Sequence, residues 1–195
     1  MEHVQSANRS QIELSSLEEQ IEKDNAVRFV EAFVEHISLT ELGFVVNKIK
    51  SEGRPSFNPK LFLKIYLYGY LNGLRSSRKL EKEAKRNIEL QWLLCKLVPN
   101  YHSIADFRKE NPRALKNTFK LFVLFLKDAD LISGTTIAID GTKVRAHNSK
   151  KNNFNQKKID RHLAYIEEKT NEYLGQLDAN DTQEDSIKVN VYKRR

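Results

Sequence analysis

Apolar residues recur along this chain every three to four positions and then, past residue 134, every second one. Val27, Val30, Phe33, Val34 and Ile37 share one face of a helix that Asp24 opens and that ends near Ser38. A shorter apolar segment covers 39–49. Gly53-Arg54-Pro55 then breaks the chain, and Asn58-Pro59 restarts it as helix cap and first helical residue. The next helix is apolar nearly all round over 61–71, which predicts the centre of a bundle. A further buried helix is expected over 87–97, closed by Pro99-Asn100. Ser103 with Asp106 reads as a capping-box start for a short helix through Glu110. Pro112 starts another, with Leu115, Phe119, Phe122, Val123 and Leu126 on its apolar face, ending around Leu131.

The shortened period past Gly134 predicts a strand over 135–139, an Asp140-Gly141 turn and a second strand over 142–146. A loop rich in Asn and Lys follows, over 147–155. Ile159, Leu163, Ile166, Tyr173, Leu174 and Leu177 mark a long amphipathic helix. From 178 the chain turns acidic and loses its apolar period, so 178–195 is expected to be a polar, disordered tail; 1–23 is likewise expected to be flexible. A lone hairpin is marginal in water and exposes two unpaired edges. Residues 134–177 therefore read as the opening of an α/β domain of which the rest is missing. The expected fold class is mainly α: a helical bundle over 24–131, then a β-hairpin and long helix.

Charge narrows the partners. The net charge is +7, the isoelectric point is about 9.4 and 30% of residues are charged, which favours an anionic partner. The stretch 73–87 carries Arg75, Arg78, Lys79, Lys82, Lys85 and Arg86 against only Glu81 and Glu83. On a helix, Arg78, Lys79, Lys82, Lys85 and Arg86 fall on one side, with Leu80, Ala84 and Ile88 on the other. Such a helix suits a polyanion, because each cation near a phosphate releases condensed counterions. The same pattern also suits an ordinary solvated face. A second basic window, 141–162, holds Lys143, Arg145, Lys150, Lys151, Lys157, Lys158 and Arg161 against Asp160 alone. Residues 1–24 lack the apolar core of a signal peptide, and the 61–71 run is far below the ~20 residues of a membrane span. A soluble, intracellular protein with no membrane partner is expected. The single cysteine, Cys95, excludes an internal disulfide and any multi-thiolate zinc site; among Trp92, Leu93, Leu94 and Leu97 it is expected to be buried.

Asp140 is the sharpest chemical candidate. It ends a strand rich in β-branched residues, where a carboxylate is held on rigid backbone, as a hard divalent cation such as Mg²⁺ prefers. Asp-Gly is also the commonest short hairpin turn, and the two readings are compatible. Two-metal phosphoryl chemistry needs further converging carboxylates. Asp160, Glu167 and Glu168 fall on the following helix, and Asp178, Asp181, Glu184 and Asp185 in the tail; neither group returns to the strand end. His102, His147 and His162 show no metal-ligand spacing, and no phosphate-cradling glycine loop or nucleophile elbow is present. Tyr66, Tyr68 and Tyr70 read as core and interface residues.

Several motifs occur in order: Arg54-Pro55, the 68–81 segment Tyr-Gly-Tyr-Leu-Asn-Gly-Leu-Arg-Ser-Ser-Arg-Lys-Leu-Glu, the 87–94 segment Asn-Ile-Glu-Leu-Gln-Trp-Leu-Leu, the 102–108 segment His-Ser-Ile-Ala-Asp-Phe-Arg and the 139–143 segment Ile-Asp-Gly-Thr-Lys. Together they resemble bacterial insertion-sequence transposases with an acidic-triad, RNase H-like catalytic domain. Residues 54–131 resemble the helical domain called transposase InsH N-terminal, and the likeness runs over about 24–181. The resemblance implies Mg²⁺-dependent DNA cutting and joining, with Asp140 as first member of the metal-binding triad and the helical domain recognising transposon ends. It also implies that the second Asp and the Glu lie beyond Arg195, and 189–195 fits the pattern poorly. The expectation is a truncated transposase that binds DNA without cleaving it alone, with weak or absent Mg²⁺ binding, in a bacterial cytoplasm and on the nucleoid when DNA-bound. Arg75, Arg78, Lys79, Lys82, Lys85 and Arg86 would meet phosphates, and Lys143, Arg145, Lys150 and Lys151 would flank the metal-proximal DNA. Two alternatives stand beside it: a subunit activated by a downstream fragment, and a helical module that binds itself or inhibits an intact transposase through the 159–177 helix.

Overall fold

The computed structural model describes residues 10–12, 14–44, 57–128 and 156–193. They are mainly helical and form seven α-helices: α1 (Val27–His36), α2 (Pro59–Leu71), α3 (Ser77–Arg86), α4 (Ile88–Leu93), α5 (Tyr101–Glu110), α6 (Pro112–Asp128) and α7 (Gln156–Lys193). The expected hairpin over 135–146, and with it Asp140, lies outside the described residues.

Helix α2 is the axis of the body, as its all-round apolarity predicts. Asn58 caps it, its side chain accepting from the Lys60 amide at 2.9 Å, and Pro59 takes the first turn, where a missing N–H costs nothing. Every residue from Leu61 to Tyr70 is buried. Tyr68 and Tyr70, on different faces, are both inside. Even Lys64 is buried, because Glu31 and Glu35 of α1 meet its ammonium at 2.7 and 2.9 Å. Burial opposes that charge, but the two carboxylates outweigh it and raise the Lys64 pKa above its ordinary value. At Gly69 a Cβ would come within 2.7 Å of Leu80 on α3 and 2.8 Å of the Tyr173 hydroxyl on α7. Only glycine lets the three helices approach so closely there.

Around this axis, Phe33 of α1 meets Phe122 of α6 edge-to-face at 5.0 Å, and Phe62 of α2 stacks on Phe107 of α5 at 4.6 Å. Tyr173, Leu174 and Leu177 of α7 join the same core cluster as α2 and α6. The middle of α7 is thus a wall of this core.

Several expectations need correction. Residues 178–193 are not a disordered tail but the continuation of α7. Its buried stripe runs Ile166, Thr170, Tyr173, Leu174, Leu177, Asp181, keeping helical spacing while its chemistry changes from apolar to acidic. Within the expected flexible segment 1–23, Ile21 is buried, and Glu18 accepts hydrogen bonds from Arg28 at 2.6 Å and Trp92 at 2.7 Å. The helix expected over 87–97 stops at Leu93, because Cys95 and Lys96 adopt left-handed backbone with φ of 49° and 61°. That turn puts Cys95 on the surface rather than in the core. Ile88 begins α4 instead of extending the apolar edge of α3, and is exposed. The start of α5 is capped by Asn100, whose side chain accepts from the Ser103 amide at 2.8 Å, in place of the Ser103 cap.

Candidate nucleic-acid interface

Helix α3 begins at a polar joint. Ser76 is its cap, in extended backbone, with its hydroxyl accepting from the Lys79 amide at 3.4 Å. Ser77 opens the helix, completely buried, and its amide and hydroxyl donate to the two oxygens of Asp181 at 2.8 and 2.6 Å. The carboxylate thus sits on the positive end of α3, where an anion is favoured.

Arg108 of α5 closes the joint from the other side and is only 2% exposed. Its Nη2 donates to Asp181 at 2.8 Å, its Nε to Asp178 at 2.9 Å, and its Nη1 to the Ser77 hydroxyl at 3.2 Å and the Tyr66 hydroxyl at 3.4 Å. Tyr66 in turn donates to the Ile104 carbonyl. Burial works against the guanidinium charge, but Tyr66, Asp181 and Asp178 overcome it and hold Arg108 firmly protonated. Burial drives the Tyr66 phenol in the opposite sense, well above its ordinary value, so it stays a neutral donor.

Outward from this joint lie the basic residues picked out by the sequence. Arg75 stacks on the Tyr173 ring at 4.4 Å and donates to Gln176 at 2.9 Å. Its backbone carbonyl accepts from Asn180 at 2.6 Å. Arg78 lies over the Tyr101 ring at 4.1 Å and pairs with Glu184 at 3.4 Å and with Asp185. Neither arginine presents a free head, because α7 lies against both. Lys85 pairs with Glu81 and Arg86 with Glu83 along α3, both heads remaining largely exposed. Exposed pairs of this kind contribute little and are readily exchanged for another anion. Lys79 and Lys82 are exposed and have no ion-pair partner among the described residues. Asp185 marks the rim of the same cationic field: its hydrogen bond to Arg78, aided by the charges of Arg78, His102 and Lys109, holds its pKa below the usual carboxylate value.

Six of the eleven site residues are therefore on or beside α3, of which Lys79, Lys82, Lys85 and Arg86 form an outward edge. The other five, Asp140, Lys143, Arg145, Lys150 and Lys151, lie outside the described residues. Among the described residues no group of three His, Cys, Asp or Glu side chains could hold a metal. No described helix is long and apolar enough to cross a membrane.

Arg108, Asp178, Asp181 and Glu184 were absent from the sequence-derived site. The spacing of Leu174, Leu177, Asp181 and Glu184 at three and four residues was the available signal, hidden because the stripe turns acidic. Within the 159–177 helix, the surface through which one alternative would bind another chain, Tyr173, Leu174 and Leu177 are buried in this chain's own core.

No curated protein and no solved structure matches this chain. Residues 15–110, which span α1 to α5 with the head of α3 and Arg108, match the family model described as a transposase domain (DUF772), and this match supports a transposase-related protein.

Proposed function

We propose that the helical body is a DNA-binding unit of a transposase-related protein and that the edge of α3 meets the phosphate backbone. The observation carrying this reading is the row Lys79, Lys82, Lys85 and Arg86. Two of these lysines lack an ion-pair partner among the described residues, and the other two cations are held only by exchangeable surface pairs. The net charge of +7 supports the same partner. Transposon ends, an RNase H-like hairpin around Asp140 and Mg²⁺ there follow from the resemblance alone.

The test is DNA affinity measured against salt. Four phosphate contacts give a slope of log affinity on log salt of about −3 to −4, at ~0.9 per contact on duplex DNA. A slope near zero removes the assignment.

A further inference from the structure

Two depths of contact hold α7 to the head of α3. At the inner level, Asp178 and Asp181 are bound by the buried Arg108 and by Ser77. Losing these carboxylates strands a buried guanidinium, so this level is a structural anchor. At the outer level, Glu184 accepts from the Ser76 hydroxyl at 3.0 Å and pairs loosely with Arg78 at 3.4 Å, while Asp185 pairs with Arg78 from a side chain that is 61% exposed. This outer level is surface chemistry.

The outer contacts also leave a donor unused. Nε of Arg78 is buried without a hydrogen-bond partner among the described residues. A buried donor without a partner is costly, so the closed arrangement carries a penalty at Arg78 that opening the outer turn relieves. An anion with more oxygens than a carboxylate would also satisfy it. Uncovered, Arg78 would stand beside Lys79 and Lys82 on α3 and within the field that His102 and Lys109 of α5 direct at Asp185.

We propose that the outer turn of α7, through Glu184 and Asp185, is an autoinhibitory strap that competes with DNA phosphate for Arg78, while Asp178 and Asp181 stay anchored. The strap rests on the DNA-binding reading above and adds its regulation. Closed, it removes one cation from the α3 face and sets two negative charges beside the others. Open, it adds a phosphate contact without unfolding the core.

The experiment compares salt-dependent binding of one DNA duplex by the full chain, by E184Q/D185N and by E167Q/E168Q. The last removes the same charge from α7 away from Arg78. E184Q/D185N should bind at least fivefold more tightly than E167Q/E168Q, with a salt slope steeper than that of the unaltered chain by about one. Adding Arg78→Ala to E184Q/D185N should erase the steeper slope, whereas Arg78→Ala in the unaltered chain should leave its slope unchanged. D185N alone, at an exposed position, serves as the fold-neutral version with a smaller gain. Equal affinities in E184Q/D185N and E167Q/E168Q, or an Arg78→Ala effect of the same size with and without the strap charges, overturns the strap while DNA binding stands. Zero slope in every variant overturns DNA binding itself.

Discussion

Two sides of α2 are held in opposite ways. On one side a single apolar cluster gathers Leu63, Ile65 and Leu67 of α2 with Phe33 of α1 and Phe119 and Phe122 of α6. Toward the head of α3 its Tyr66 enters a charged joint in which Arg108 binds two carboxylates, a serine and that phenol. Apolar packing is non-directional and tolerates small repacking. The joint is directional, and removing one member leaves its partners buried without compensation. One region fills space; the other fixes which helices meet.

That contrast predicts different responses to truncation. Arg108→Ala should destabilise the protein by about 3–5 kcal/mol, because Asp181 is left buried without its counter-charge. Arg108→Ala with Asp181→Ala should lose clearly less than the sum of the single changes, whereas Arg108→Ala with Leu63→Ala should add. Leu63→Ala itself should lose about 2–5 kcal/mol through its cavity. Urea unfolding of the three single and two double variants checks this, and strict additivity between Arg108 and Asp181 would show that the joint is not a unit. Gly69→Ala sharpens the comparison at the point where both regions touch. Helix propensity alone favours alanine by about 1 kcal/mol. The 2.7 and 2.8 Å approaches of Leu80 and Tyr173 should reverse the sign, to a loss of about 1–3 kcal/mol. Thermal unfolding at or above the unaltered temperature would mean that α3 and α7 shift aside freely.

Acid should reach the charged contacts before the apolar ones. Lys64, followed by Lys60, holds Glu35 below its usual 4.5, and Arg78 holds Asp185 below its usual 3.8. A carboxyl depressed in the folded state stabilises above its unfolded pKa, and that stabilisation fades as pH falls through the folded value. Unfolding temperature should therefore be flat from neutrality to about pH 5 and fall below about pH 4. A decline beginning near pH 6 would point to histidine instead. The smallest effect on stability belongs to the outward edge. Lys79→Ala and Lys82→Ala should each stay within about 0.5 kcal/mol of the unaltered chain. Each should nevertheless lower the magnitude of the DNA salt slope by about one. Loss of folding with either change would give these lysines a structural role.

The legibility of the chain follows the same division. The all-round apolar run gave α2, Asn58-Pro59 its first turn and Pro112 that of α6, since propensity, period and capping agree there. The ends of α4 and α5 were misplaced because left-handed Cys95 and Lys96 and the Asn100 cap are set by local backbone geometry that periodicity does not register. The site was legible as a basic edge, through Lys79, Lys82, Lys85 and Arg86. It was illegible where Asp178, Asp181 and Glu184 continue a buried helical stripe, because acids at core positions look like solvent-facing residues until their partners are known. Arg108 was hidden for the same reason. Its counter-charges lie 70 and 73 residues away, and no local pattern announces a pairing across that distance.

The same separation orders events at the ribosome. When Arg108 is made, the wall that completes its surroundings does not yet exist. At ~5–20 residues per second, the 70 residues up to Asp178 take roughly 4–14 s. Throughout that interval the nascent body has a guanidinium with no acid to neutralise it and an apolar trough awaiting Tyr173, Leu174 and Leu177. Vectorial synthesis therefore makes the docking of α7 a late step in closing this core.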